Sequence, residues 1–162
     1  MKKRQECHMN SDGPLGEVLL EITGGQGEII NRHEGQMFYK NGHHYVLFSE
    51  ELSEDGGKGR TSFASRLKIS DDEVTLRRSL PARDGAGSAH VMEFVYRLRG
   101  EGERGCFVDY PTPYGVLRLE ILTEELSVER SEEEFLILAK YVMLQEGQEV
   151  SRDQIKIQVR RK

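Results

Sequence analysis

Apolar and polar residues alternate with a period of two along most of the chain, which is typical of β-strands whose successive side chains point to opposite faces. The first such segment is Glu17–Thr23, in which Val18, Leu20 and Ile22 share one face. A later one is His90–Leu98, where apolar or aromatic residues return at every second position. The pattern therefore predicts a protein built mainly of strands with one buried face.

The dipeptide Asn41-Gly42 predicts a tight hairpin, because both residues of the favoured two-residue turn need a positive φ and apolar segments flank them. Such a turn fixes how the flanking strands pair. The predicted pairs are Lys40 with His43, Tyr39 with His44, Phe38 with Tyr45, and Met37 with Val46.

A second hairpin is predicted around Asp71-Asp72, between strands Arg60–Ser70 and Glu73–Arg78. Its register pairs apolar side chains on one face, Leu67 with Leu76 and Ile69 with Val74. The other face carries polar side chains, namely Arg66, Lys68, Thr75 and Arg77. One apolar and one polar face fit a sheet that covers a core on one side.

The last third of the chain leaves two points open. Glu134–Leu144 is apolar on both strand faces, so a helix is conceivable, but the hairpin-like Glu146-Gly147-Gln148 that follows favours a strand. Two-residue and three-residue loops both fit there, and the register of this hairpin stays undetermined. Strand Val116–Thr123 precedes it, and residues 51–60 and 81–89 are predicted loops because of their Gly-rich composition.

Nine or ten strands joined mostly by short turns predict an all-β fold. A meander of this kind must cover its edges, and closure into a single antiparallel up-and-down β-barrel of about eight to ten strands does so. No repeat or linker suggests a second domain. We expect residues 1–14 to be a loose leader and residues 15–162 to form the barrel domain.

Charge and cysteine content narrow the class of protein. The net charge of −5 argues against general nucleic-acid binding. We interpret the basic run Arg160-Arg161-Lys162 as a solubilising end, with phosphate binding as the alternative. Two cysteines, Cys7 and Cys106, make no disulfide framework, and no signal-peptide or membrane-span pattern is present. We therefore expect a cytoplasmic protein without membrane attachment.

Candidate chemical motifs do not meet their spacing requirements. Lys58 lacks the glycine and hydroxyl positions of a phosphate loop. His43 and His44 point to opposite faces of a strand, so they cannot share a metal. Glu124, Glu125 and Glu129 resemble solvated acids rather than an oriented carboxylate pair. We accordingly expect no enzyme activity, no metal and no cofactor.

Several segments carry a family resemblance. They are Met37-Phe38-Tyr39-Lys40-Asn41-Gly42, Leu67-Lys68-Ile69, Val74-Thr75-Leu76, Met92-Glu93-Phe94, and Tyr110-Pro111-Thr112-Pro113-Tyr114-Gly115 followed by Leu117 and Leu119. Together they resemble the DUF1934 family of bacterial proteins over roughly residues 15–160, with the Thr-Pro-Tyr-Gly corner as the most specific part. The resemblance implies a calycin-like (lipocalin-like) barrel and implies no activity or site residues.

A set of polar side chains shares the predicted inward face. By alternation Arg78 lies on the face of Val74 and Leu76, and the same rule turns His90, Tyr96, Thr61 and Ser65 inward. An inward arginine must pair or reach water, because an isolated buried charge costs several kcal/mol. One hypothesis is a polar barrel mouth that binds a small anionic or amphipathic molecule. The alternative is an internal network in which Arg78 bonds to Glu50, Glu51 or backbone carbonyls.

Surface patterns raise two further kinds of binding partner, another protein chain and RNA. If Glu134–Leu144 is a strand, its outer side chains Leu136, Leu138, Val142 and Leu144 would lie exposed and suggest a protein-interaction module or homodimer. Arg66, Lys68 and Arg77 form a small basic strip, but no aromatic platform for RNA accompanies it in the sequence. A small-molecule ligand remains the first hypothesis.

Overall fold

The computed structural model describes residues 12–24, 29–54, 59–80, 90–98, 104–112 and 114–162, with the backbone alone for residues 29, 52–54 and 59–61. The described secondary structure is entirely β. Its ten strands are β1 (Gly13–Gly24), β2 (Ile29–Lys40), β3 (His43–Glu54), β4 (Gly59–Ile69), β5 (Val74–Leu80), β6 (His90–Tyr96), β7 (Cys106–Thr112), β8 (Gly115–Arg130), β9 (Glu134–Gln145) and β10 (Gln148–Arg161).

The strands form one antiparallel sheet in the order β6-β5-β4-β3-β2-β1-β10-β9-β8-β7. Strands that follow one another along the chain pair from β1 to β6 and again from β7 to β10. The β1–β10 ladder joins these two halves of the sheet. The first and last strands therefore lie in the middle of the sheet. The predicted all-β, up-and-down barrel of calycin-like architecture is confirmed.

The barrel is nearly closed, and its seam lies between β6 and β7. Among the described residues no strand ladder joins β6 to β7. His90 Nε2 instead donates to the Asp109 carbonyl oxygen at 2.8 Å, and Leu98 forms an isolated parallel bridge with Thr123. One side-chain hydrogen bond and one isolated backbone bridge thus hold this part of the barrel, where no strand ladder is described.

The hydrophobic core lies inside the barrel and receives side chains from every strand. The alternation predicted this face: Val18, Leu20 and Ile22 are buried, and so are their counterparts Val159 and Ile157 on β10. Burial of such a continuous apolar face is the main favourable contribution to the stability of the folded chain.

Both predicted hairpin registers are confirmed. Across Asn41-Gly42, Lys40 pairs with His43 and Met37 with Val46. Across the second turn, Leu67 pairs with Leu76 and Ile69 with Val74. The open register of the last hairpin is a two-residue turn at Glu146-Gly147, with Gln145 opposite Gln148.

Some boundaries differ from the sequence expectation. β3 runs to Glu54 and β4 begins at Gly59, so most of the predicted loop 51–60 is strand. β1 begins at Gly13, inside the stretch assigned to the leader, of which residues 1–11 lie outside the described part of the chain. β8 continues past Thr123 to Arg130 through a bulge between Thr123 and Glu125. The predicted loop 81–89 also lies outside the described residues.

Strand direction gives the barrel two distinct ends. The Gly13 end is where β1 begins and β2, β8 and β10 finish. The Gly24 end is the opposite one, where β1 finishes and β6 begins. None of the described segments forms a helix long and apolar enough to cross a membrane.

Candidate functional site

The structure places Arg78, the central residue of the predicted polar set, toward the Gly24 end of the barrel. Its Nε donates to Glu50 Oε2 at 2.8 Å, and its Nη2 donates to Glu50 Oε1 at 3.3 Å. Ser65 Oγ donates to the same Glu50 Oε2 at 2.5 Å. The side chain of Glu50 is 13% exposed and that of Arg78 28% exposed, so this is a half-buried and mutually neutralised pair.

The other members of the predicted set do not converge on Arg78 as a ligand site. His90 donates a hydrogen bond to the Asp109 carbonyl oxygen across the seam between β6 and β7. Tyr96 is fully buried against Tyr141, with ring centroids 5.2 Å apart. Burial, followed by the neighbouring Tyr141, raises the pKa of Tyr96 well above its ordinary value. The side chain of Thr61 lies outside the described part of the chain.

The contacts of Arg78 therefore match the internal-network alternative. Glu50 comes from β3, Ser65 from β4 and Arg78 from β5, and register brings them side by side because Phe48 pairs with Ser65 and Ser65 with Arg78. A ligand role for Arg78, His90, Tyr96, Thr61 and Ser65 remains a prediction.

A cavity of about 610 Å³ opens at the other end of the barrel, the Gly13 end. Six strands and one turn contribute to its wall. The lining residues are Leu15, Val18, Met37, His44, Arg130, Ser131, Glu132, Glu133, Glu134, Phe135, Val159 and Arg161. We refer to this space as the mouth cavity.

Two arginines lie in the wall of the mouth cavity. Arg161 Nη1 donates to the Leu15 carbonyl oxygen at 3.1 Å, and no carboxylate of the described residues forms an ion pair with it. Arg130 pairs with Asp71, whose side chain is 83% exposed, and its guanidinium carbon lies 5.5 Å from the centroid of the Phe135 ring. An ion pair that exposed is weak and readily exchanged. The mouth therefore presents guanidinium donors next to an aromatic wall.

His44 forms part of the inner wall of the cavity. Its ring makes edge contacts with Tyr39 and Phe135, each with centroids 5.0 Å apart. Burial, then Arg130 and Arg161, lowers the pKa of His44 from 6.5 to about 4, while Asp71 acts in the opposite direction. His44 is therefore neutral at neutral pH and lies within the electrostatic influence of Arg130 and Arg161.

Acidic residues also border the mouth cavity. Glu132 and Glu133 are exposed in the turn between β8 and β9. Glu134 accepts a hydrogen bond from Gln158 Nε2 at 2.8 Å. The carboxylates thus belong to the solvated turn or are engaged, whereas Arg161 and Arg130 extend from the inward-facing positions of β10 and β8.

Sequence reasoning missed these two arginines for different reasons. Arg161 continues the inward series of Ile155, Ile157 and Val159, so alternation alone could have identified it. Arg130 could not be found that way. The bulge after Thr123 moves the inward face of β8 from odd-numbered to even-numbered positions, so Leu126, Val128 and Arg130 follow Leu119 and Ile121.

The remaining sequence candidates form no catalytic or metal arrangement in what the structure describes. Glu124 pairs with Arg152 at 2.7 Å and Glu125 with Lys140 at 3.7 Å, both at the exposed surface. Within the described ranges no three His, Cys, Asp or Glu side chains converge as metal ligands. Lys58 and Cys7 lie outside those ranges.

The outer face of β9 is less open than the sequence suggested. Val142 is buried at 4% exposure, and Leu136, Leu138 and Leu144 are half-buried. The exposed apolar strip on which the homodimer hypothesis depended is therefore absent from this strand. Dimerisation itself remains a prediction.

Comparison with known proteins agrees with this architecture. A family model described as a domain of unknown function, DUF1934, matches residues 20–157. The chain belongs to the DUF1934 family. A crystal structure of the ywiB protein from Bacillus subtilis has the same fold, with a TM-score of 0.59, 19% identity and 93% of each chain covered. No curated protein matches the chain.

Proposed function

We propose that this DUF1934 protein is a non-enzymatic binding protein that takes a small amphipathic anion into the mouth cavity at the Gly13 end of its barrel. The observation that carries the proposal is Arg161, an exposed guanidinium at the rim of the mouth cavity that forms no ion pair among the described residues. A ligand anion would supply an ion-pair partner for it.

The shape and lining of the cavity support this choice of ligand class. Its volume of about 610 Å³ falls within the range of ordinary small-molecule sites, roughly 300–1,000 Å³. Val18, Met37, Phe135 and Val159, each at most 7% exposed, form the apolar part of the lining that a hydrocarbon or aromatic body would approach. Arg161 and Arg130 would then bind a carboxylate, sulfonate or phosphate at the rim through charge-assisted hydrogen bonds.

The Gly24 end is a poorer candidate for the same ligand. Arg78 already has Glu50 as a bidentate partner, so an incoming anion would have to displace a half-buried carboxylate. Breaking such a pair leaves a charge poorly solvated and costs several kcal/mol. The proposal therefore places the ligand at the opposite mouth from the one predicted from the sequence.

Binding of anilinonaphthalene sulfonate, a fluorescent aromatic sulfonate, tests the proposal. We expect a saturable fluorescence increase with the native protein, and binding about tenfold weaker in Arg161→Gln, because a charge-assisted hydrogen bond contributes about 1.5–3 kcal/mol. Arg160→Gln is the matched control. Arg160 is the chain neighbour of Arg161 but is exposed on the opposite face of β10.

The control distinguishes binding in the mouth cavity from general electrostatic attraction to the protein surface. Arg160→Gln removes the same charge and should leave the affinity within about twofold of the native value. Equal weakening by both substitutions, or undiminished binding by Arg161→Gln in a protein with native thermal stability, would contradict the proposal.

A further inference from the structure

The outer face of β2–β5 carries the predicted Phe38–Tyr45 pair directly beside the basic strip. Phe38 on β2 and Tyr45 on β3 stack with ring centroids 5.1 Å apart and planes only 9° apart. The guanidinium carbon of Arg66 on β4 lies 5.5 Å from the centroid of the Tyr45 ring. The expectation that no aromatic platform accompanies the basic strip was therefore wrong, because the pairing of β3 with β4 sets Tyr45 opposite Lys68 and beside Arg66.

The three cations of this strip, Arg66, Lys68 and Arg77, form no salt bridge among the described residues. Arg66 lies directly opposite Arg77 on β5, and Lys68 follows two positions after Arg66 on β4. Like charges facing each other across a ladder are destabilising. The Nε of Arg66 is buried and has no hydrogen-bond acceptor in the described structure. Glu93 faces Arg77 from β6 and is the nearest acid in register.

An open surface depression, referred to below as the slot, lies beside Phe38 of the aromatic pair. It has a volume of about 350 Å³ and is lined by Asp12, Gly13, Pro14, Phe38, Tyr39 and Lys40. Pro14 is the register partner of Phe38, and a bulge between Pro14 and Gly16 disturbs β1 at this point. Pro14 and Tyr45 are the register partners of Phe38 on its two sides, so the slot lies on the side of Phe38 away from Tyr45.

We infer that this outer face binds a short single-stranded nucleic acid, with one base in the slot against Phe38 and the phosphates running across Tyr45 toward Arg66, Lys68 and Arg77. Strands lie about 4.8 Å apart, so the path from β2 to β5 spans roughly 14 Å. Stacking of bases on aromatic rings beside a cationic track is how single strands are bound without sequence readout. This site is separate from the mouth cavity, and neither proposal depends on the other.

An acidic peptide is the rival occupant, and the slot argues against it. Aspartate and glutamate side chains would satisfy Arg66 and Arg77, but they carry no aromatic ring to stack against Phe38 in the slot. The net charge of −5 opposes any polyanion at a distance, so we expect binding that is weak and strongly dependent on salt.

Fluorescence anisotropy with a labelled oligouridine of about 12 nucleotides, a length within known single-strand site sizes, tests the inference. We expect saturable binding at about 50 mM salt that weakens steeply by 200 mM. Arg66→Glu/Arg77→Glu should weaken binding at least about tenfold and lower the salt slope by about two. Phe38→Ala should weaken it about fivefold through lost stacking.

The matched control is Lys156→Glu/Arg160→Glu, which makes the same charge change at exposed positions of β10. It should bind within about twofold of the native protein if the site is local. The inference is overturned if the native protein shows no binding, if this control weakens binding as much as Arg66→Glu/Arg77→Glu, or if Phe38→Ala binds normally. Competition by polyglutamate as strong as by unlabelled oligouridine would also overturn it.

Discussion

Arg78 and Arg161 are both inward-facing arginines, yet their surroundings give them different roles. Arg78 is bound by two oxygens of Glu50, and Ser65 completes the arrangement. Arg161 has the Leu15 carbonyl as its hydrogen-bond partner and borders a cavity. The first arginine is neutralised by internal pairing, whereas the second borders the cavity in which we propose that an anion binds.

The lowered pKa of His44, in the wall of the mouth cavity, makes the stability of the folded chain depend on pH. Its pKa in the folded chain is about 4, whereas an unfolded histidine takes up a proton near its ordinary value of about 6.5. Below about pH 6.5 the unfolded chain therefore binds more protons, and stability falls as the pH is lowered from there toward about 4. Above that window His44 contributes no further change.

Urea unfolding at a series of pH values tests this prediction. His44→Gln should remove part of the stability loss on acidification. Glutamine does not titrate, so the unfolded chain no longer takes up a proton at this position that the folded chain does not. His43→Gln is the control, since His43 lies outside the cavity and bonds to Ser70 Oγ at 2.8 Å. If the two variants lose stability identically with acid, the assignment to His44 is incorrect.

At the scale of the elements, two hairpin turns share one geometry but not one sequence. Asn41-Gly42 and Glu146-Gly147 both have φ values of 51° and 84°. Asparagine adopts the left-handed region readily, whereas other residues with a Cβ atom incur a cost of about 1–2 kcal/mol there. The β9–β10 turn is therefore held by its strands despite an unfavourable first residue, which explains why its register could not be predicted.

Exchanging the first turn residues tests this account of the hairpins. Glu146→Asn should raise the free energy of unfolding by about 0.5–1 kcal/mol, because the turn then matches the favoured Asn-Gly pair. Asn41→Glu should lower it by a similar amount in the β2–β3 turn. Urea denaturation of both variants measures the effect, and a change in the same direction for both would refute the explanation.

At the scale of the whole molecule, pairing of the first and last strands positions the mouth cavity. The β1–β10 ladder brings the chain's first and last strands together, and this places Leu15 beside Arg161 at the mouth cavity. The remaining gap between β6 and β7 is held by His90 and the Asp109 carbonyl. Closure by the terminal strands thus assembles the proposed anion site from residues far apart in the sequence.

The sequence was most informative where structure is local and least where it depends on closure. Alternation and the Asn-Gly turn predicted the paired faces and register of β2–β3 and β4–β5, because each depends on neighbouring residues. The same alternation correctly turned Arg78 inward. It offered Glu50 only as one of several partners for Arg78, and it could not indicate that a bulge would turn Arg130 toward the cavity. The choice of partner depends on how side chains of β3, β4 and β5 pack, and the bulge depends on how β8 pairs with β9.

An NMR titration with dodecanoate, a carboxylate with an apolar chain, tests the central claim that the Gly13 end is the ligand site. The account predicts saturable shifts of backbone amides at Leu15, His44, Phe135 and Arg161, with the amides of Ser65, Arg78 and His90 unchanged. Shifts confined to the amides around Arg78, or no saturable shifts at all, would contradict it.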